Sequence, residues 1–205
     1  MQADECCFSP KSFKDHGWGY EKVGITITKK FSDAKLVMVC GLISQESGVV
    51  HMDVRMKTAD FRAFRGIDIV GIIELLRATY PLKRMALFLD NASIHKARIV
   101  RDASERYRIP LVFNLAYCPH LNGVEQYWGR CKHHYRAAVG QLKVDRVDGW
   151  NNQDVVLEAL GKVSDEQAKH CARIGWENLR NAEPLLDPDQ TLAAEMDNVI
   201  ESEMA

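Results

Sequence analysis

The chain has no run of about eighteen apolar residues, so no segment reads as a helix that crosses a bilayer. Its opening, "MQADECCFSP", lacks the basic region and apolar stretch of a secretory leader. It also lacks any Cys-x-x-Cys pair. Cys6, Cys7, Cys40, Cys118, Cys131 and Cys171 are irregularly spaced, and several fall inside apolar periodic stretches, so reduced core thiols are expected rather than a disulfide scaffold. Cys118, His120, Cys131, His133 and His134 invite comparison with a zinc site, but a helix would spread those ligands over different faces. There are no internal repeats and no low-complexity segment. These absences point to an intracellular protein with no membrane partner, placed in the cytoplasm or nucleoid of a prokaryote or the nucleus of a eukaryote.

Net charge of one sign is missing too, at -1 for the whole chain, but only because two halves cancel. Residues 1–146 hold 23 Lys and Arg against 15 Asp and Glu, a net of +8. Residues 147–205 hold 4 against 13, a net of -9. A basic body that meets a polyanion, followed by an acidic segment that does not, fits this division.

What is present is a change of pattern along the chain. "ADECCF", "VGITITKK", "KLVMVCGLIS" and "VVHMDVRMK" read as strands, the last two joined by the turn "QESG", giving an antiparallel meander. Over residues 58–80 apolar side chains recur at helical spacing, including Phe61, Phe64, Ile69, Ile72, Ile73 and Leu76, until Pro81 ends the run. "MALFLD" and "PLVFNL" are further strands, separated by an amphipathic helix over residues 95–108. A strong helix follows over residues 124–139. Strands first and strand–helix alternation afterwards predict a mixed α/β sheet with flanking helices. The acidic end adds three helical stretches, the second opening with Ser164 and Gln167 at capping-box spacing.

A carboxylate at the end of a buried strand is costly unless something compensates it. Asp90 occupies such a place in "LFLDNASIH". In open α/β sheets the carboxyl ends of strands are where sites form. Asp4 lies in the first strand, and Glu125 in the first turn of the 124–139 helix. On that helix Val124, Tyr127, Trp128, Cys131 and Tyr135 form an apolar stripe. Glu125, Gly129, Lys132 and Arg136 form the adjacent one, an acid followed by two bases, which suits either a nuclease helix or a solvated charged face. Asp4 and Glu5 compete for one role, because successive strand residues face opposite sides.

Taken together, "ADECCF", "FLDNASIHK" and "AYCPHLNGVEQYWGRCK", with thirty-four residues between Asp90 and Glu125, resemble the catalytic domain of DDE transposases of the Tc/mariner superfamily and related bacterial insertion sequences. Trp18 and Gly19 fit a Trp-Gly stretch of that pattern. The resemblance implies a ribonuclease-H-like (retroviral-integrase-like) fold of order βββαβαβα over residues 1–146, with 147–205 as an acidic helical extension. It implies Asp4, Asp90 and Glu125 as catalytic and metal-ligating residues for two Mg²⁺ or Mn²⁺ ions, with Glu5, Asn91, His95 and Asn122 as auxiliary groups. His95 would sit in the first turn of a helix, where a structural role is the commoner one. Lys96, Arg98, Arg101, Lys132 and Arg136 would grip DNA phosphates.

The implied activity is metal-dependent DNA cleavage and strand transfer, with transposon ends and target DNA as partners and a homodimer as a possible assembly. The alternatives are a nuclease of the same fold without integration, and a retired transposase domain that only binds nucleic acid or protein. Relatives carry helix-turn-helix domains upstream, so the chain reads as an excised catalytic domain or a fragment. Gly123 stands where the pattern has proline, which is expected to loosen the turn. Three clustered carboxylates should repel one another without a cation, so neutralising Asp90 is expected to cost the metal-free protein nothing.

Overall fold

In the computed structural model, residues 1–10, 35–115, 117–145, 147 and 149–182 are described. The expected strand "VGITITKK", Trp18, Gly19 and the last acidic stretch lie outside them. β1 (Gln2–Phe8), β2 (Val37–Ser44) and β3 (Gly48–Met56) form an antiparallel meander. α1 (Gly66–Thr79), β4 (Leu87–Leu89), α2 (Arg98–Tyr107), β5 (Leu111–Phe113), α3 (Gly123–Val144), α4 (Asn152–Gly161) and α5 (Asp165–Ala182) follow. The strands order as β3-β2-β1-β4-β5, with β4 parallel to both β1 and β5. β1 is therefore the middle strand, antiparallel to one neighbour and parallel to the other.

Alternation along β1 divides the molecule into two layers. Cys6 and Phe8 join a core with Val124, Tyr127, Trp128, Cys131 and Tyr135 of α3, so the apolar stripe read from the sequence is the packing face. Ala3 joins the opposite core, with α1 and α2 residues such as Ile69, Ile73 and Val100. β2 obeys the same rule: Val37, Val39 and Ile43 lie under α3, while Cys40 and Leu42 lie under α1 and α2.

The helices beyond residue 146 complete the α3-side core. Val155, Val156 and Leu160 of α4 and Ala168, Cys171 and Ala172 of α5 belong to the same cluster as β1 and α3. Buried Asn152 fastens α4 to the sheet: it accepts from the Tyr135 hydroxyl at 2.7 Å and donates to the carbonyls of Phe8 (3.1 Å) and Lys35 (2.8 Å). Ser164 and Gln167 cap α5 reciprocally, with Gln167 N–H on the Ser164 hydroxyl and Ser164 N–H on Gln167 Oε1.

Two helix starts differ from the sequence expectation. Phe61 and Phe64 have helical spacing but precede α1. They pack edge to face with centroids 5.2 Å apart, beneath the Arg55 guanidinium at 5.1 and 5.0 Å. α1 begins only where Asp68 accepts the Arg65 amide at 2.8 Å. Likewise α2 begins at Arg98, so His95 is not in its first turn. The Asp90 carboxylate accepts the Ala92 N–H at 2.9 Å and folds residues 90–95 into a turn that competes with helix.

Candidate active site

Asp4 sits in the middle of β1, opposite Gly41 of β2. Gly41 has no side chain because Trp128 fills that space: a Cβ there would lie 2.4 Å from the indole. Asp4 is thus enclosed on the α3 side of the sheet, 7% exposed. Burial raises its pKa to about 8, and the negative charges of Glu125, Glu5 and Asp90 push in the same direction, against a hydrogen bond from the Glu5 backbone. Two residues along the same face, burial raises the Cys6 thiol to about 12 against the opposing pull of the Lys132 ammonium, which is hydrogen-bonded to it. Lys132 of α3 therefore stands on the Asp4 side of the sheet.

Glu125 lies exposed in the first turn of α3. Its position is set by Asn122, which is buried, caps the helix by accepting from Val124 N–H, and donates to the Ala3 carbonyl at 3.4 Å. The next residue corrects the expectation of a loosened turn. Gly123 donates to the buried Gln2 side chain at 2.9 Å, and a Cβ on it would lie 2.1 Å from the Cys171 carbonyl oxygen. Glycine is required here by the close approach of α5.

Asp90 follows β4, its side chain 46% exposed. Its pKa is lowered, chiefly by the hydrogen bond from His95, with the Ala92 amide and the Lys96 charge assisting against partial burial. His95 has no exposed surface. Its Nδ1 lies 2.6 Å from Asp90 Oδ1 and its Nε2 3.1 Å from Glu5 Oε1. Burial alone would lower its pKa; the two carboxylates outweigh that and raise it to about 10. Glu5 faces the α1 and α2 side, opposite Asp4, yet it is linked to Asp90 through this ring. The Asn91 side chain donates to the Asn114 carbonyl and ties the turn after β4 to the loop after β5.

The charges of Glu125 and Asp90 both bear on Asp4, Glu125 more strongly, and among the described residues no three His, Cys, Asp or Glu side chains are grouped to hold an ion. Asp90 instead bonds the His95 ring. The donor chemistry nonetheless suits a hard divalent cation. All three groups offer carboxylate oxygens, and Asp4 is kept neutral well above the carboxylate range by burial first and then by negative neighbours that a cation would counter.

The five basic candidates divide between the layers. Lys132 and Arg136 lie on α3, with Arg136 exposed. Arg98 and Arg101 lie exposed on α2, in the opposite layer, with Arg98 3.8 Å from Asp102. Lys96 precedes α2, its ammonium 5.5 Å from the Phe113 ring centroid, near the exit of β4. Arg130, which the sequence reading did not single out, lines an open cleft of about 430 Å³ with Gln126, Gly129, Gln167 and the two histidines weighed there only for zinc, His133 and His134. Their helical spacing from Gln126 was the available signal.

The strand order, the mixed pairing and the carboxylates at the centre of β1, the end of β4 and the start of α3 define a ribonuclease-H-like domain. Residues 3–146 match the model of the DDE superfamily endonucleases, and the chain belongs to that family. Among solved structures, it is similar to the Mos1 transposase paired-end complex with left transposon end, at 20% identity and TM-score 0.54, over 87% of this chain and 52% of that one. It is similar to the Mos1 mariner paired-end complex with Mn at 19% identity and TM-score 0.55, over 87% and 53%. The catalytic domain of Mos1 mariner transposase gives 19% identity and TM-score 0.50, over 86% and 78%. These likenesses are in fold, and the chain spans about half the length of the transposase chains in the two complexes. No curated protein sequence matches it.

Proposed function

We propose that this chain is the catalytic domain of a Tc/mariner-type DDE transposase, acting on transposon-end and target DNA through Asp4, Asp90 and Glu125. The observation that carries the reading is Asp4: a buried carboxyl at mid-sheet, with the charges of Glu125, Glu5 and Asp90 bearing on it and Lys132 of α3 on the same side of the sheet. The similar Mos1 complexes, one with left transposon end and one with Mn, lend support for DNA and a divalent ion, Mg²⁺ or Mn²⁺, here. Two such ions, held by the three carboxylates, would supply activation of the attacking oxygen and stabilisation of the leaving one.

The chain's own groups do the rest. Asp4 fixes one set of oxygens on the rigid central strand. Asp90 brings a second from the end of β4, and Glu125 a third from the start of α3. Lys132 and Arg136, along α3 from Glu125, grip backbone phosphates and orient the strand. In cleavage a water oxygen bonds to phosphorus and the P–O3′ bond breaks, leaving a 5′-phosphate and a 3′-hydroxyl. In strand transfer that 3′-oxygen bonds to a target phosphorus, the target P–O3′ bond breaks, and the departing oxygen takes up a proton. A homodimer would hold two DNA ends at once.

The test is cleavage and joining of labelled DNA with Mn²⁺, for the wild type and for Asp4→Asn, Asp90→Asn and Glu125→Gln. Cleavage and joining that every variant abolishes support the reading. Cleavage without joining points to a nuclease of the same fold, and tight DNA binding with neither reaction points to a binding module.

A further inference from the structure

β1 carries adjacent carboxylates on opposite faces of the sheet, and only Asp4 lies on the α3 side. Glu5 nevertheless has a specific partner ninety positions away, the wholly buried ring of His95. Each ring nitrogen of His95 meets a carboxylate oxygen, Asp90 Oδ1 at 2.6 Å and Glu5 Oε1 at 3.1 Å. The ring thus bridges the two side chains. The Ala92 amide donates at 2.9 Å to the same Asp90 oxygen, so both bonds fall on Oδ1 and neither on Oδ2.

We propose that His95, braced from the far side of the sheet by Glu5, is the positioning residue for Asp90: it fixes Oδ1 and thereby presents Oδ2 to the divalent cation. This rests on the reading of Asp90 as a ligand. It gives Glu5, which faces away from Asp4, a part in the site. Asp90 needs such a brace. It follows a strand of three residues, and its side chain is nearly half exposed. A freely rotating carboxylate would have to be ordered by each arriving ion, whereas a pre-oriented one is not. An apolar side chain could fill the space of His95 but could bond neither Asp90 nor Glu5, so mere filling does not account for the bridge.

The experiment uses the 205-residue chain, with Mn²⁺ affinity measured by titration calorimetry. Glu5→Ala should weaken Mn²⁺ binding about 10- to 100-fold, the usual effect of removing an outer-shell partner. Glu5→Gln, whose amide oxygen still accepts from Nε2, should restore affinity to within a few-fold of wild type. Asp90→Asn separates the two readings. If it loses Mn²⁺ binding while folded Glu5→Ala binds as wild type does, positioning by His95 is wrong and the ligand reading stands. If Asp90→Asn binds as wild type, both fail. Should Glu5→Ala not fold, His95→Gln decides, and Mn²⁺ binding there as tight as in the wild type overturns the proposal.

Discussion

The amide of Gly123 donates to the side chain of Gln2 at 2.9 Å, across 121 positions of sequence. Gln2 in turn donates to the Ala172 carbonyl at 3.2 Å, so one buried amide side chain joins β1, α3 and α5. Proline at the first position of a helix is ordinarily favoured. Here it would remove the donor to Gln2 and press its ring against the Cys171 carbonyl. Gly123→Pro should therefore destabilise the chain by about 2–4 kcal/mol, an unmet buried acceptor plus overpacking. A thermal melt checks it; an unchanged midpoint would mean that α5 does not pack on this turn.

Asp4 sets a pH dependence for the metal-free protein. Its pKa is 3.8 unperturbed and about 8 in the fold, so between those values the folded state keeps a proton that the unfolded state has lost. Stability should fall as pH rises from about 4 to 8, by an amount on the order of a few kcal/mol. His95, raised from 6.5 to about 10, adds a loss in the same direction between those two values. Urea unfolding over a pH series should show both, and Asp4→Asn should remove the acidic part while leaving the alkaline one.

Neutralising the two aspartates should have opposite effects. Burial makes Asp4 keep a proton at neutral pH that the unfolded chain has lost, so Asp4→Asn should stabilise the metal-free chain there. Asp90 already has His95, so Asp90→Asn should cost about 1–3 kcal/mol by weakening a charged hydrogen bond to a buried ring. This revises the expectation that Asp90 could be neutralised freely. Both variants should blunt the rise in melting temperature that millimolar Mn²⁺ gives the wild type.

Because the basic candidates lie in two layers, DNA binding should distinguish them. Lys132→Ala with Arg136→Ala should weaken binding and flatten its salt dependence, since α3 carries Glu125. Arg98→Ala with Arg101→Ala, on α2, should change it far less. Fluorescence anisotropy at two salt concentrations separates the pairs, and a larger loss from the α2 pair would place the DNA on the other layer.

Where local periodicity and packing agree, the sequence is a good guide. The alternation of β3, the apolar run of β2 and the stripe from Val124 to Tyr135 each reflect one buried face, and each element forms where its pattern lies. Phe61 and Phe64 mislead because an apolar pair under Arg55 has the same spacing as a helix turn. The acidic composition of the last third hides that Val156, Cys171 and Ala172 are core. The sequence brings Asp4, Asp90 and Glu125 to notice singly, through strand ends and a helix start. It carries no local trace of the Glu5–His95 contact, which only the parallel pairing of β1 with β4 creates.

That β1 presents Asp4 to one face and Glu5 to the other makes the identity of each acid a matter of counting. Inserting or deleting a single residue between the start of β1 and Asp4, with the rest of the strand sliding by one place, would deliver Glu5 to the α3 side and turn Asp4 toward His95. The longer side chain would then stand under Trp128, where Gly41 leaves room for an indole and little else. Composition would barely change, yet the parity of one central strand would be reversed. Length variation in the chain is therefore tolerable at the connections between strands and not within this one.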